Sequence, residues 1–198
     1  MEGEGLLPTA QHTLGDALAD RLLRLAQYVL IGIFGLLPIL FVPALTVSLV
    51  YTKVMWVLAG LLIVLILYSF TVLRSGLVKF SFPIPVLALW LIVISAVASG
   101  ALSGDFRDTF VGDGIEQQTI LFLLILALTA TMTVQIFTQK KTIMTLFSVL
   151  AGSASLLAVF HLFRLVIGPT FLSFGVFPGT VSTPIGSWND LAIFFGLV

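Results

Sequence analysis

The sequence predicts an all-α protein, a polytopic bundle of transmembrane helices with five complete spans and the start of a sixth. Three observations predict this fold class. Of the 198 residues, 59% are hydrophobic and 9% are charged, whereas a soluble domain carries about 25% charged residues. The mean hydropathy is high, at +1.19. The apolar residues also fall into stretches of roughly 20, the length that a helix needs to cross about 30 Å of hydrocarbon.

The segment before the spans, residues 1–26, is expected to be a cytoplasmic lead-in. Its leucines recur at helical spacing, and Thr13 and Asp16 have the spacing of a capping box. We therefore predict a short amphipathic helix over residues 13–27 that lies in the membrane interface. An ordinary solvated helix is the alternative.

The complete spans are predicted over residues 27–50, 54–73, 84–102, 119–138 and 142–167. A further helix begins near Trp188, but from Leu191 to Val198 it would rise only about 12 Å. A backbone group left unpaired inside the bilayer costs several kcal/mol. We therefore expect the sequence to be the N-terminal part of a longer membrane protein.

Lysine and arginine positions predict the orientation of the spans. One set of loops holds three pairs of basic residues: Arg21 and Arg24, Arg74 and Lys79, and Lys140 and Lys141. The alternate loops hold only Lys53 and Arg107. The N-terminus is therefore expected in the cytoplasm, with the acidic loop that follows the third span on the outer side. Lys53 is interpreted as a residue that snorkels to the lipid headgroups at the start of the second span.

Two ionisable residues lie within the fifth predicted span, where such residues are rare and informative. His161 and Arg164 are three residues apart, so they share one helix face near the outer end of the span. One interpretation is an anion site for a phosphate or a sugar. The alternative is that Arg164 extends to the headgroups and that His161 lies at the same interface.

The polar stretch Trp188-Asn189-Asp190 precedes the last apolar run. Ser187, Asn189 and Asp190 are all residue types that cap helix N-termini, and an acid there complements the positive end of the helix dipole. Trp188 suits a membrane interface. The stretch therefore predicts a capped helix that enters the bilayer, and its free amides are a candidate anion site.

Three stretches of the chain resemble the O-antigen ligase/polymerase-like superfamily of bacterial polytopic glycan transferases. They are LLPILFVPALTVSLVYTKVMW, SGALSGDFRDTFVGDGIEQQTILFLLI and GTVSTPIGSWNDLAIFFGLV. In the second, residues 109–112 stand where the family has an S-F-x-G-like element. In the third, Asn189 and Ala192 match the second Asn and the Ala of the family's G-T-x-x-N-P-N-x-x-A segment, with Trp188 where Pro is common.

The resemblance implies transfer of a glycan from a polyprenyl-diphosphate carrier to an acceptor on the outer face of the bacterial inner membrane. The acceptor would be lipid A core, a growing polysaccharide or a protein hydroxyl. Membrane lipid and the polyprenyl-diphosphate-linked glycan are therefore the expected partners. The ligase branch requires no metal, and the family's catalytic histidine and key arginines would lie in an outer loop later than Val198. The candidate substrate-binding residues here are Arg164, His161, Trp188, Asn189 and Asp190.

Other functional classes find little support in the residues. The net charge is zero, so no basic face is available for a nucleic-acid partner. The chain has no cysteine, and no metal-ligand spacing, phosphate-binding glycine loop or Ser-His-Asp set is recognisable, so we expect no cofactor and no metal. A polytopic transporter or flippase is the alternative function, because transporters also use proline-broken spans.

Overall fold

The computed structural model describes residues 8–40, 49–76, 81–112, 119–168, 171–172 and 183–198, apart from the side chains of residues 8–16, 49 and 188. Seven helices form within these ranges: α1 (Pro8–Leu36), α2 (Leu49–Ser75), α3 (Ile84–Leu102), α4 (Phe106–Val111), α5 (Ile120–Ile136), α6 (Lys140–Ile167) and α7 (Trp188–Leu197). No strand occurs in the described part of the chain. The predicted all-α fold class is confirmed there.

Three helices are long and apolar enough to cross a membrane: α2 from Val50, α3 and α6. Helix α5 is apolar but has only 17 residues. Exposed apolar side chains cover these helices and would contact lipid, among them Leu62 and Ile66 of α2, Leu91 and Ile94 of α3, and Leu162 and Leu165 of α6. The chain therefore has the helices of a membrane protein, while the predicted count of five complete spans is not confirmed.

Helix α1 differs from its prediction, because the lead-in helix and the start of the first span form one continuous helix. Thr13 lies inside α1 and is not its N-cap, so the capping box predicted there is wrong. The helix ends at Leu36, two residues before Pro38, because proline has no N–H to donate and disfavours helical backbone in the residue before it. Residues 41–48, which belong to the predicted first span, lie outside the described residues.

The end of α1 packs against the middle of α6. The Ser153 hydroxyl donates a hydrogen bond of 2.5 Å to the Gly35 carbonyl, and a Cβ added to Gly35 would overlap Val149 Cγ1. Val149 lies nine residues after the first residue of α6, which places this contact about 14 Å along that helix. Helix α1 therefore ends beside the middle of α6, which is one of the helices long enough to cross a membrane.

Helices α1, α2 and α5 share the main apolar core, with Leu30, Leu61 and Ile136 among its most buried side chains. At the C-terminal end of α5, polar side chains form hydrogen bonds beside this core. Gln27 Nε2 donates to the Ile136 carbonyl over 3.1 Å. The Gln135 amide accepts from the Ser81 N–H over 3.2 Å and donates to the Ser81 carbonyl over 3.0 Å. The bond from Gln27 satisfies a carbonyl that the end of α5 leaves open, and the two bonds of Gln135 tie the segment before α3 to α5.

Helix α4 was not predicted, because the acidic segment after α3 was interpreted as a loop. It has six residues, and the Phe106 and Phe110 rings stack with their centroids 5.5 Å apart. Gly112 follows with a φ of 65°, which ends the helix. Thr119 then caps α5, because its side-chain oxygen accepts from the Phe122 N–H over 3.3 Å.

Candidate functional site

The start of α7 is a complete capping box. Ser187 is the N-cap, and its hydroxyl oxygen accepts from the Asp190 N–H over 3.3 Å. The Asp190 carboxylate in turn accepts from the Ser187 N–H and the Ser187 hydroxyl, each over 2.8 Å. The predicted capped helix is therefore confirmed, and the structure selects Ser187 as its N-cap.

The hydrogen bonds of the capping box also determine the charge state of Asp190. Its side chain is exposed and lies outside the three candidate spans. The Ser187 N–H and hydroxyl, together with the more distant Lys53 ammonium, hold the pKa of Asp190 below its usual value of 3.8. The Asp190 amide N–H is already bonded to Ser187, so it is not one of the free amides that the sequence predicted at this end.

A closed turn precedes α7 and sets its position. The Thr183 N–H donates to the Gly186 carbonyl over 2.8 Å, and the Gly186 N–H donates back to the Thr183 carbonyl over 3.1 Å. Gly186 has a φ of +147°, and a Cβ on it would lie 2.7 Å from Asp190 Oδ2. Glycine is therefore required here both by the backbone and by the carboxylate beside it.

Lys53 joins this turn to α2. Its Nζ donates a hydrogen bond of 2.6 Å to the Pro184 carbonyl, 131 positions later in the chain. Asp190 is close enough for the charges of the two side chains to interact. The ammonium is thus held by the protein, which differs from the interpretation of Lys53 as a residue that snorkels to the headgroups.

A cavity of about 420 Å³ lies beside Lys53, in the space beyond the end of α1. It has the size of a small-molecule site. Its wall is almost entirely apolar, with side chains from α1, α2, α5, α6, the turn and α7; representative residues are Phe34, Val54, Val57, Ile125, Leu150 and Phe194. Lys53 is the charged residue among the described residues that line it.

His161 and Arg164 lie on one face of α6, as predicted, and both are buried, with 8% and 7% of their surfaces exposed. The Arg164 guanidinium lies 5.8 Å from the centroid of the Phe160 ring, within cation–π range, and the His161 ring meets the same phenyl ring edge-on at 5.4 Å. This burial argues against extension of Arg164 to the headgroups. Neither residue lines the cavity described above.

The remaining candidates lie at the start of α7. Trp188 is the first residue of that helix, but its side chain is outside the described part of the structure. Asn189 and Asp190 are exposed. The structure therefore brings Asp190 and the Thr183–Gly186 turn close to Lys53, which lines the cavity, while His161 and Arg164 form a separate buried cluster.

The arrangement at the cavity is suited to binding. It combines an apolar chamber, one ammonium group and a nearby carboxylate that is already engaged in a helix cap. No group of three or more His, Cys, Asp or Glu residues that could hold a metal ion occurs among the residues that the structure describes. The described residues that line the cavity include no activated nucleophile and no paired acid and base.

Lys53 was noted in the sequence, but its hydrogen bond to the Pro184 carbonyl was not predicted. Its position at the start of a span fits snorkelling equally well, and the Pro184 carbonyl that binds it is 131 positions away. A signal was present, since Lys53 is an isolated cation on an otherwise apolar helix end. An ionisable residue in a membrane segment is a candidate functional residue, and it usually has an interaction partner elsewhere in the protein.

Comparison with protein-family models finds no match for this chain, and no curated protein and no solved structure matches it either.

Proposed function

We propose that this chain is part of a membrane glycan transferase of the O-antigen ligase/polymerase type, which moves a glycan from a polyprenyl-diphosphate carrier to an acceptor on the outer face of the bacterial inner membrane. The observation that carries the proposal is the cavity beside Lys53. An isoprenoid chain is a flexible hydrocarbon, and an apolar cavity open to helices that face lipid suits it.

The predicted orientation agrees with this placement. With the N-terminus in the cytoplasm, α2 and α7 begin at the outer side, where the carrier presents its glycan. His161, Arg164, Trp188, Asn189 and Asp190 remain the candidate substrate contacts at that end.

Filling the cavity is the direct test. Val57→Trp places an indole in the chamber, whereas Ile63→Trp places the same ring on an exposed face of the same helix, where 50% of the isoleucine surface is accessible. We expect Val57→Trp to abolish glycan transfer in membranes that carry the intact gene product, and Ile63→Trp to leave it unchanged. Normal transfer by a well-expressed Val57→Trp variant would contradict the proposal.

The candidate residues at the start of α7 are tested by Asn189→Ala. Its side chain is exposed, so its loss leaves the packing intact. Reduced transfer with normal protein levels would support contact with the substrate. Unchanged transfer would show that Asn189 does not contact the substrate and is only part of the first turn of α7.

A transporter or flippase is the second candidate, and the end of α1 favours it. Helices that break inside the membrane and border a cavity are common at transporter substrate sites. Vesicles that carry the protein distinguish the two functions. Movement of a labelled lipid-linked glycan across the bilayer without its consumption would indicate a flippase, and consumption of the donor would indicate a transferase.

A further inference from the structure

We propose that Lys53 binds the anionic head of an amphiphilic ligand whose apolar body occupies the cavity. This inference rests on the proposed function, because it assigns a ligand to the same cavity. It goes further because it names Lys53 as the residue that binds the head group and the Pro184 carbonyl as the group that positions Lys53.

The first step is the number of donors on Lys53. An ammonium has three N–H groups, and the hydrogen bond to the Pro184 carbonyl uses one of them. The side chain lines the cavity, so the other donors are available on the cavity side. The Pro184 bond holds the ammonium at the cavity wall, and the charge remains free to meet an anion there.

The second step is the environment of that charge. The cavity wall around Lys53 is hydrocarbon, contributed by residues such as Val50, Val54 and Phe122. Hydrogen bonds to a charged group contribute more in such surroundings than in water. Asp190 is the neighbouring acid, and its carboxylate is taken up by two bonds from Ser187. An anionic oxygen of the ligand would therefore meet an ammonium that no carboxylate of the described residues pairs directly.

The third step concerns the tail of the ligand. Hydrocarbon walls offer no hydrogen bonds to a sugar or to a second charged group, so the body of the ligand must be apolar. Inorganic phosphate lacks this part and would gain only the contact with Lys53. The complementary ligand is an amphiphile with an apolar body and an anionic head, and a prenyl phosphate is a probe of this kind.

Lys53→Gln separates the charge of this residue from its structural bond. The glutamine amide keeps a donor for the Pro184 carbonyl but carries no charge. Affinities of the purified chain in detergent are measured for farnesyl phosphate, for farnesol, which has the same chain without the charge, and for inorganic phosphate. We expect farnesyl phosphate to bind the unmodified protein roughly 10-fold or more tightly than farnesol, as loss of a charged hydrogen bond would predict.

In Lys53→Gln the ratio of the two affinities should fall towards one, with the farnesol affinity unchanged. Lys140→Gln, which removes an exposed lysine at the first residue of α6, is the matched control and should keep the ratio. Lys53→Arg retains the charge and should keep most of the difference in affinity between the two ligands. This variant also tests the role of the charge if Lys53→Gln does not fold. If the role of Lys53 is purely structural, Lys53→Gln should lower the affinities for farnesyl phosphate and for farnesol by the same factor.

The outcomes distinguish this inference from the proposed function. Tight binding of both amphiphiles with a ratio near one, or a ratio that survives Lys53→Gln, would overturn the role of Lys53 and leave a lipid-binding cavity. Failure of both amphiphiles to bind would overturn the cavity as a lipid site, and with it both proposals. Tight binding of inorganic phosphate alone would replace the lipid by a free anion and contradict the inference.

Discussion

Gly35→Ala tests the close packing of α1 on α6, the contact that places the end of α1. A methyl group at this position would overlap Val149 Cγ1. Valine in a helix is held in one χ1 rotamer, so Val149 cannot turn aside and the helices must separate. Overpacking of this kind costs about 1–3 kcal/mol. Separation also weakens the Ser153 bond to the Gly35 carbonyl, which contributes about 0.6 kcal/mol for an average bond between membrane helices.

Alanine also favours the helix by about 1 kcal/mol relative to glycine. The net expectation for Gly35→Ala is a loss of about 1–2 kcal/mol in the free energy of unfolding. Gly32→Ala is the matched control on the same helix, because a Cβ there meets nothing within 4 Å. That variant should be neutral or more stable by up to about 1 kcal/mol.

The assay is reversible unfolding of the purified protein in mixed micelles, with denaturing detergent as the titrant and circular dichroism as the signal. Val149→Ala in the Gly35→Ala background removes the overlapping methyl group and should recover stability, which a double-mutant cycle measures. If Gly35→Ala proves as stable as Gly32→Ala, the close contact between α1 and α6 is refuted.

The remaining predictions concern polar contacts. Gln135→Leu removes both hydrogen bonds to Ser81 and should cost about 1–3 kcal/mol, because each such bond contributes about 0.5–1.5 kcal/mol net; an unchanged unfolding midpoint in micelles would contradict this. Ser187→Ala removes the N-cap and should destabilise α7 by about 1 kcal/mol, seen as faster hydrogen exchange of the first α7 amides, whereas Ser148→Ala on the exposed face of α6 should leave that exchange unchanged. The pKa of Asp190 is lower in the folded protein than its usual 3.8, so its contribution to α7 is present above about pH 4 and is lost as the pH falls through the folded value. A carboxyl titration by NMR with a midpoint at or above 3.8 would contradict that direction.

Much of the helical order could be predicted from apolar run length and from caps. The third predicted span coincides with α3, and α5, α6 and α7 begin within two residues of their predicted starts. Hydrophobicity determines these limits, since the flanking residues are polar or are helix-breaking. Helix α1 was harder, because a continuous helix from a polar segment into an apolar one leaves no boundary signal at Gln27. Helix α4 is too short for periodicity to reveal.

The site was predicted less completely, because its parts are distant in sequence. The cap on α7 is local, with Ser187 and Asp190 three residues apart, so its residue types were sufficient. The bond from Lys53 to the Pro184 carbonyl depends on how α2 packs beside the turn, and no local pattern encodes it. The burial of Arg164 is likewise a property of tertiary packing, which residues near the end of a span do not reveal.

Helix α5 has a consequence for how the protein would respond to bilayer thickness. Its 17 residues extend about 25 Å, less than the roughly 30 Å of an average hydrocarbon core. It packs against α1, α2 and α3, and its threonines return their hydroxyls to carbonyls of its own preceding turn. A thicker or thinner membrane would therefore act first on the tilt of α2, α3 and α6, which carry the exposed apolar faces. Helix α5 would keep its length and its position. Because α5 forms one wall of the cavity, lipid composition would change the shape of the cavity only by tilting the helices around α5.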